Sequence, residues 1–308
     1  MELIKKTNID FLKLRYICFA ISGGLVLLGI IALAIRGVNL GIDFTGGNLA
    51  EIKFAKILAV DEVRKVFKEN FPENVEIQTF PKSNSFVIRS KKNNDPSSGT
   101  SQFGVNVSQM LKKVLPENPA TIERTEYVGP AVGRHLIKQA NWAIIFSFLG
   151  IIIYVAFRFN SGIWGAAAVI ALIHDVFITF GMFSLMQKEI TLSVIAALLT
   201  LAGYSVNDTI VIFDRLRENL RLFRKDPLPK VMNQSLNETL ARTLITNLTV
   251  IMVLAALFIF GGDVIHDFAF ALLFGCIIGT YSTVAIAVPI VYEWKGGDRT
   301  KAKVNIKK

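Results

Sequence analysis

The chain has 308 residues, 52% of them hydrophobic and 19% charged, with a formal net charge of +10 at pH 7. Together with a mean hydropathy of +0.47, these values stand apart from the soluble average and fit a membrane protein. A pI near 9.6 invites a nucleic-acid reading, but no nucleic-acid motif is present and membrane topology accounts for the basic excess.

Six apolar runs are long enough to cross a hydrocarbon core, which takes roughly 20 helical residues. They are Tyr16–Ile35, Gln139–Phe157, Ile163–Gln187, Ile190–Phe213, Thr243–Gly262 and Phe268–Tyr292. Ala32-Leu33-Ala34 resembles a signal-peptide cleavage site. The apolar run before it exceeds the usual core of about 7–15 residues, so an uncleaved anchor is expected. Lys and Arg set the orientation. With the N-terminus in the cytoplasm, the cytoplasmic pieces collect Lys5, Lys6, Lys13, Arg15, Arg158, the basic residues of 214–238 and the basic tail after Tyr292. The two short outer loops hold Lys188 against Glu189, Asp263 and Asp267. Both termini are therefore expected in the cytoplasm.

The expected organisation is a cytoplasmic N-terminus and first span over 1–36, an outer domain over 37–137, a five-helix membrane bundle over 138–293, and a basic tail over 294–308. In the outer domain Leu49–Phe54 alternates as a strand, and Val60–Asn70 has helical spacing. Val75–Phe80 and Ser85–Ser90 read as short strands around a Pro-Lys-Ser-Asn turn, and Lys92–Thr100 as a loop. Val105–Leu115 is helical and Thr121–Val128 alternates again. That βαββαβ order is the ferredoxin-like α+β arrangement, which names no function. GIDFTGG (41–47) precedes it and reads as an elbow: Gly41, Gly46 and Gly47 permit positive φ or close approach, and Asp43 can cap a turn.

Candidate chemistry lies in the membrane. Asp208 interrupts the fourth span, and a carboxylate at bilayer depth costs about 2.5–3.5 kcal/mol on insertion scales. Such a group usually handles ions or protons, the alternative being a hydrogen bond to a neighbouring helix. Thr200, Tyr204 and Asp208 share one face of that helix, with Ser205 and Asn207 on its flank. The fifth span offers Arg242, Thr246 and Thr249, with Thr243 and Asn247 beside them, and the two polar stripes are expected to face each other. Arg242 sits at a helix end, where it could equally snorkel to the cytoplasm. An Asp208–Arg242 pair is suggested by this layout without being established by it.

His174-Asp175 in the third span is a second intramembrane site. Adjacent residues diverge by about 100° on a helix, so Asp175 is expected to anchor a neighbouring helix and not to face His174. Asp214 is expected in a solvated pair with Arg215 or Arg217. Gly275 and Gly279 form a GxxxG packing face. Cys18 and Cys276 fall in spans and imply no disulfide framework. His135, His174 and His266 lack a metal-ligand spacing, so no metal is expected.

GIDFTGG, VGPAVG (128–133), GYSVNDTIVIFDRLREN (203–219), ARTLITN (241–247) and GTYST (279–283) occur in this order. Together they resemble the SecF family of the bacterial Sec protein-export machinery over nearly the whole chain. The resemblance implies a relation to proton-driven resistance–nodulation–division transporters. It implies SecD, the SecYEG channel, YajC and a translocating preprotein as partners, the bacterial inner membrane as location, and no cofactor. The family helps draw preproteins outward after the ATP-driven SecA motor has begun insertion, using the proton gradient. Carried over by motif, Asp208 and Arg242 are the proton relay. Tyr204, Asn207, Thr243, Thr246, Asn247 and Asp175 are its polar lining. Asn247 and Val250 stand where many relatives place Ser or Thr. The rival readings are a proton-coupled exporter of small molecules or lipids, and a scaffold that only stabilises SecD. An enzyme is disfavoured, because no nucleophile–base set or phosphate loop appears.

Overall fold

The computed structural model describes residues 7–71, 75–80, 84–90, 100–159 and 161–296. A 3-10 turn, Leu12–Leu14, leads into α1 (Arg15–Arg36). There follow α2 (Ile42–Thr45), β1 (Gly47–Phe54), α3 (Val60–Asn70), β2 (Val75–Phe80), β3 (Ser85–Ser90), α4 (Thr100–Val114) and β4 (Ala120–Val128). Five long segments complete the chain: α5 (Pro130–Phe159), α6 (Gly162–Met186), α7 (Leu192–Leu222), α8 (Leu228–Phe260) and α9 (Gly262–Ser282), which passes through a π-helix, Thr283–Ala287, into α10 (Val288–Trp294). The loop expected over Lys92–Thr100 (up to Thr100, which opens α4), most of the turn over 81–84 and the tail beyond 296 lie outside the described residues.

Among the described residues six helices are long and apolar enough to cross a membrane. Two of them outrun it. At 31 and 33 residues, α7 and α8 measure about 45–50 Å against a core of about 30 Å. Residues 214–238, expected as a basic cytoplasmic piece, are therefore mostly helical extensions joined by a short turn around Arg224–Asp226. Hydropathy falls where lipid ends, but the backbone ladder continues, because helical hydrogen bonds do not depend on the solvent around the side chains.

The chain divides into two compact units, Leu40–Trp142 and the remainder, Met1–Asn39 with Ala143–Lys308. In the first, the strands form one antiparallel sheet in the order β2-β3-β1-β4. Strand alternation sends Ala50, Ile52 and Phe54 of β1 and Phe86 and Ile88 of β3 against α3 and α4, where they meet Val63, Phe67, Phe103, Val107 and Leu111. The opposite face carries Leu49 and Val87, which pack with Ile42 of α2.

In the second unit α6, α7 and the α9–α10 helix are the buried centre, while α1, α5 and α8 expose most of their apolar surface. Lipid is as apolar as leucine, so association here rests on close packing and interhelical hydrogen bonds. Gly29 of α1 and Gly181 of α6 supply one close crossing: a Cβ on Gly181 would lie 2.8 Å from Gly29 Cα. Gly275 supplies another, since its Cβ would lie 2.3 Å from Leu201 of α7. The GxxxG face thus packs on α7. Pro289 has no N–H to return to Ala285, which accounts for the looser π turn just before it.

Candidate functional site

Asp208 lies on the side of α7 that meets α8 and is 7% exposed. Asn247 Nδ2 of α8 donates to Asp208 Oδ2 over 2.7 Å. Tyr204, one turn earlier on α7, donates its hydroxyl to Asn247 Oδ1. The result is a chain, Tyr204 to Asn247 to Asp208, closed across two helices. A carboxylate out of water needs such donors, because an unpaired buried charge is far more costly than a buried hydrogen-bonded one. Thr243, one turn from Asn247 on the same face, is buried, and its Oγ1 has no hydrogen-bond partner among the described residues.

The face of α8 turned inward differs from the expected one. Thr239, Thr243 and Asn247 are buried, whereas Arg242, Thr246 and Thr249 are exposed. Thr246 and Thr249 satisfy their hydroxyls on their own backbone, Thr246 Oγ1 donating to Arg242 O over 2.9 Å and Thr249 Oγ1 to Thr246 O over 2.7 Å. Among the described residues no side chain pairs with Arg242, so Asp208 is held by an amide and not by the arginine. The cause is a helical offset: Arg242 and Thr243 are about 100° apart, and the apolar neighbours of either residue suit lipid. Asn207 and Thr200 on α7 are likewise exposed, outside the lining in which Asn207 was expected.

Asp175 is completely buried. Its Oδ2 accepts from Ser205 Oγ of α7 over 2.5 Å and from Ser282 Oγ of α9 over 2.7 Å. It does anchor neighbouring helices, but it also engages its own neighbour: His174 Nδ1 is 2.9 Å from Asp175 Oδ1. The 100° divergence applies at Cβ, and a long imidazole bridges it. Gly279 makes room, since a Cβ there would lie 3.5 Å from Asp175 Oδ2 and 3.4 Å from Ser205 Cβ. One turn of α7, Tyr204–Thr209, therefore carries contacts to both membrane carboxylates on different sides.

Within the first unit GIDFTGG forms α2 and the entry to β1. Gly41 is the N-cap of α2 with ordinary φ, and Asp43 lies in its first turn without capping it. Gly46 and Gly47 have φ of +70° and +126°, which L side chains rarely adopt. The second glycine motif packs on the first: a Cβ on Gly133 would lie 2.9 Å from Phe44 O, and one on Gly46 would lie 3.2 Å from Val128 O.

Several contacts have no counterpart in the sequence reading. Asp214 pairs with Arg158 of α5, not with its own helix neighbours. Arg215 instead meets Glu238 of α8 at 2.6 Å, and buried Asn219 donates to Glu238 over 2.7 Å and to Ser235 over 2.9 Å. Asn233 and Asn237 hold the N-terminal segment, accepting from Leu12 N and Ile9 N at 3.2 Å and 2.9 Å. The only sequence signal for these was a run of short polar residues after the fourth and before the fifth apolar run.

Comparison with known proteins fits this layout. Residues 106–297 match the family model described as protein export membrane protein SecD/SecF, C-terminal, and residues 31–56 match the SecD/SecF GG motif. A protein translocase subunit SecF of Endomicrobium trichonymphae is 42% identical over 100% of this chain and 98% of its own length. One from Escherichia coli O157:H7 is 40% identical over 90% of this chain and 85% of its own. The crystal structure of SecDF from Thermus thermophilus, a translocon-associated membrane protein, superposes with a TM-score of 0.84 at 33% identity. That match covers 96% of this chain, which spans only 40% of the SecDF chain. A buried carboxylate in the GYSVND motif, the packed glycine motifs and six spans thus coincide with near full-length similarity, and the chain belongs to the SecF family of protein translocase subunits.

Proposed function

We propose that this chain works with SecD in the Sec protein-export machinery, using the proton gradient to promote late movement of preproteins across the bacterial inner membrane. The match to less than half of SecDF supports a partner that supplies the rest of a transporter-like whole. SecYEG, YajC and the preprotein are the further partners of this reading. The α+β unit is read as a periplasmic ferredoxin-like domain, supported by its βαββαβ order and β2-β3-β1-β4 sheet. Both termini are read as cytoplasmic, supported by the placement of basic residues.

The observation that carries the proposal is Asp208, buried at membrane depth and met by a hydrogen bond from a neutral amide. In this reading Asp208 takes up and releases the proton, and Arg242 is the cation that approaches when the carboxylate is ionised and withdraws when it is protonated. Asn247 and Tyr204 hold the carboxylate while Arg242 is away. Moving one elementary charge through 100 mV supplies about 2.3 kcal/mol, several times RT, which suffices to bias a helix bundle between two packings. The GIDFTGG turn, Gly41 through Gly47, transmits the change to the α+β unit.

Asp208→Asn in inner-membrane vesicles tests this. The gradient-dependent part of late export is expected to disappear while ATP-driven insertion persists. Unchanged gradient dependence would remove the relay role.

A further inference from the structure

The α6 pair His174–Asp175 plays no part in the relay just described, yet its geometry is that of a proton acceptor. Two serine hydroxyls, from Ser205 and Ser282, donate to Asp175 Oδ2. The imidazole Nδ1 stands 2.9 Å from Oδ1. With both hydroxyls directed at the carboxylate, its ionised form takes the imidazole proton on Nδ1. Nε2 is then a bare lone pair. It is buried and has no hydrogen-bond partner among the described residues, in a side chain only 8% exposed. Buried polar atoms are nearly always satisfied, and an exception calls for a reason.

We infer that His174 and Asp175 form a second buried proton-binding site. A proton arriving at Nε2 converts a carboxylate of net charge −1 beside a neutral imidazole into an imidazolium–carboxylate pair of net charge zero. No bond other than N–H forms, and the proton comes from water. The elements packed against α6 leave the pair without another cation. α7 presents Ser205, with Asp208 and Tyr204 turned toward Asn247 of α8. α9 presents Ser282, with Cys276 buried elsewhere along it and Tyr281 turned to donate to Cys18 O of α1 over 2.9 Å. The other charged groups of these helices lie toward their ends, and α6 has no further ionisable residue.

The role of the site rests on the Asp208 reading. Ser205 and Asp208 are three residues apart on α7, so a charge change at Asp175 is felt at Asp208 and the two sites titrate together. The pair would then store or pass a second proton, or set the charge against which Asp208 works.

The test is ring-nitrogen NMR of the full-length chain in lipid nanodiscs with labelled histidine. There are three histidines, and the His174 signals are those lost in His174→Gln. Between about pH 9 and about pH 5, the range of histidine titration, His174 is expected to pass from the Nδ1–H tautomer to the doubly protonated ring. Asp175→Asn should abolish the charged form over that range, and Asp208→Asn should leave the conversion in place. A His174 ring that stays neutral throughout, or starts as the Nε2–H tautomer, would overturn the inference. Because this readout is independent of export, failure here is separate from failure of Asp208→Asn to affect the gradient.

Discussion

Asn247 of α8 donates to the carboxylate of Asp208 on α7 over 2.7 Å, and Tyr204 in turn donates to Asn247. The side chain that meets the membrane carboxylate is therefore the residue at which this sequence carries Asn where many relatives carry Ser or Thr. An amide can donate to Asp208 and accept from Tyr204 at once, which makes it the joint of the chain.

Asn247→Leu deletes both contacts. A hydrogen bond to a charged group contributes about 1.5–3 kcal/mol, so gradient-driven export is expected to slow about tenfold or more. Tyr204→Phe removes one neutral bond, about 0.5–1.5 kcal/mol, and should have the smaller effect. Export rates at a fixed gradient check the order; equal rates for both variants and the parent would mean the chain of bonds is idle.

The α1–α6 crossing is expected to be intolerant of a single methyl group. Gly181→Ala would place Cβ 2.8 Å from the Gly29 backbone, and overpacking of this kind costs about 1–3 kcal/mol. Gly165→Ala on the same helix meets Val155 at 3.7 Å, an ordinary contact, and should change stability by less than about 0.5 kcal/mol. Thermal unfolding of the two variants in detergent gives the comparison.

The extension of α7 and α8 beyond the membrane depends on Asn219, which is fully buried between Ser235 and Glu238. Asn219→Ala leaves a buried carboxylate oxygen and hydroxyl short of a donor, at about 1–3 kcal/mol. Faster proteolysis near Arg224–Asp226 is the expected sign, with Ser235→Ala milder. Resistance equal to the parent would show that the hairpin is held elsewhere.

These relationships differ in how far the sequence discloses them. Apolar runs disclose the six membrane helices, because about 20 residues must be apolar to cross lipid, and alternation discloses strands such as Ser85–Ser90. Asp208 and Asp175 stand out because charge at that depth is rare. The inward face of α8 does not, since Arg242 and Thr243 differ only by one step around the helix and both are polar. Nor does the His174 contact to Asp175, which depends on rotamers. The helical hairpin after Asp214 is hidden because its residues are polar, as a loop's would be.

The glycine motifs yield a prediction for the α+β unit. Gly46→Ala must hold φ near +70°, a conformation that costs an L residue about 1–2 kcal/mol, and it crowds Val128 O. Gly133→Ala crowds Phe44 O at 2.9 Å. Both should lower the melting temperature of the full chain, while Gly129→Ala, whose Cβ meets only the Tyr127 hydroxyl at 3.8 Å, should not.

The most direct measurement is proton movement itself. The chain, co-reconstituted with its partner subunits in vesicles that enclose a pH-sensitive dye, should admit protons during export, and Asp208→Asn should abolish that flux with the complex still assembled. Flux through Asp208→Asn vesicles equal to that of the parent would contradict the assignment of this carboxylate as the group that carries the proton.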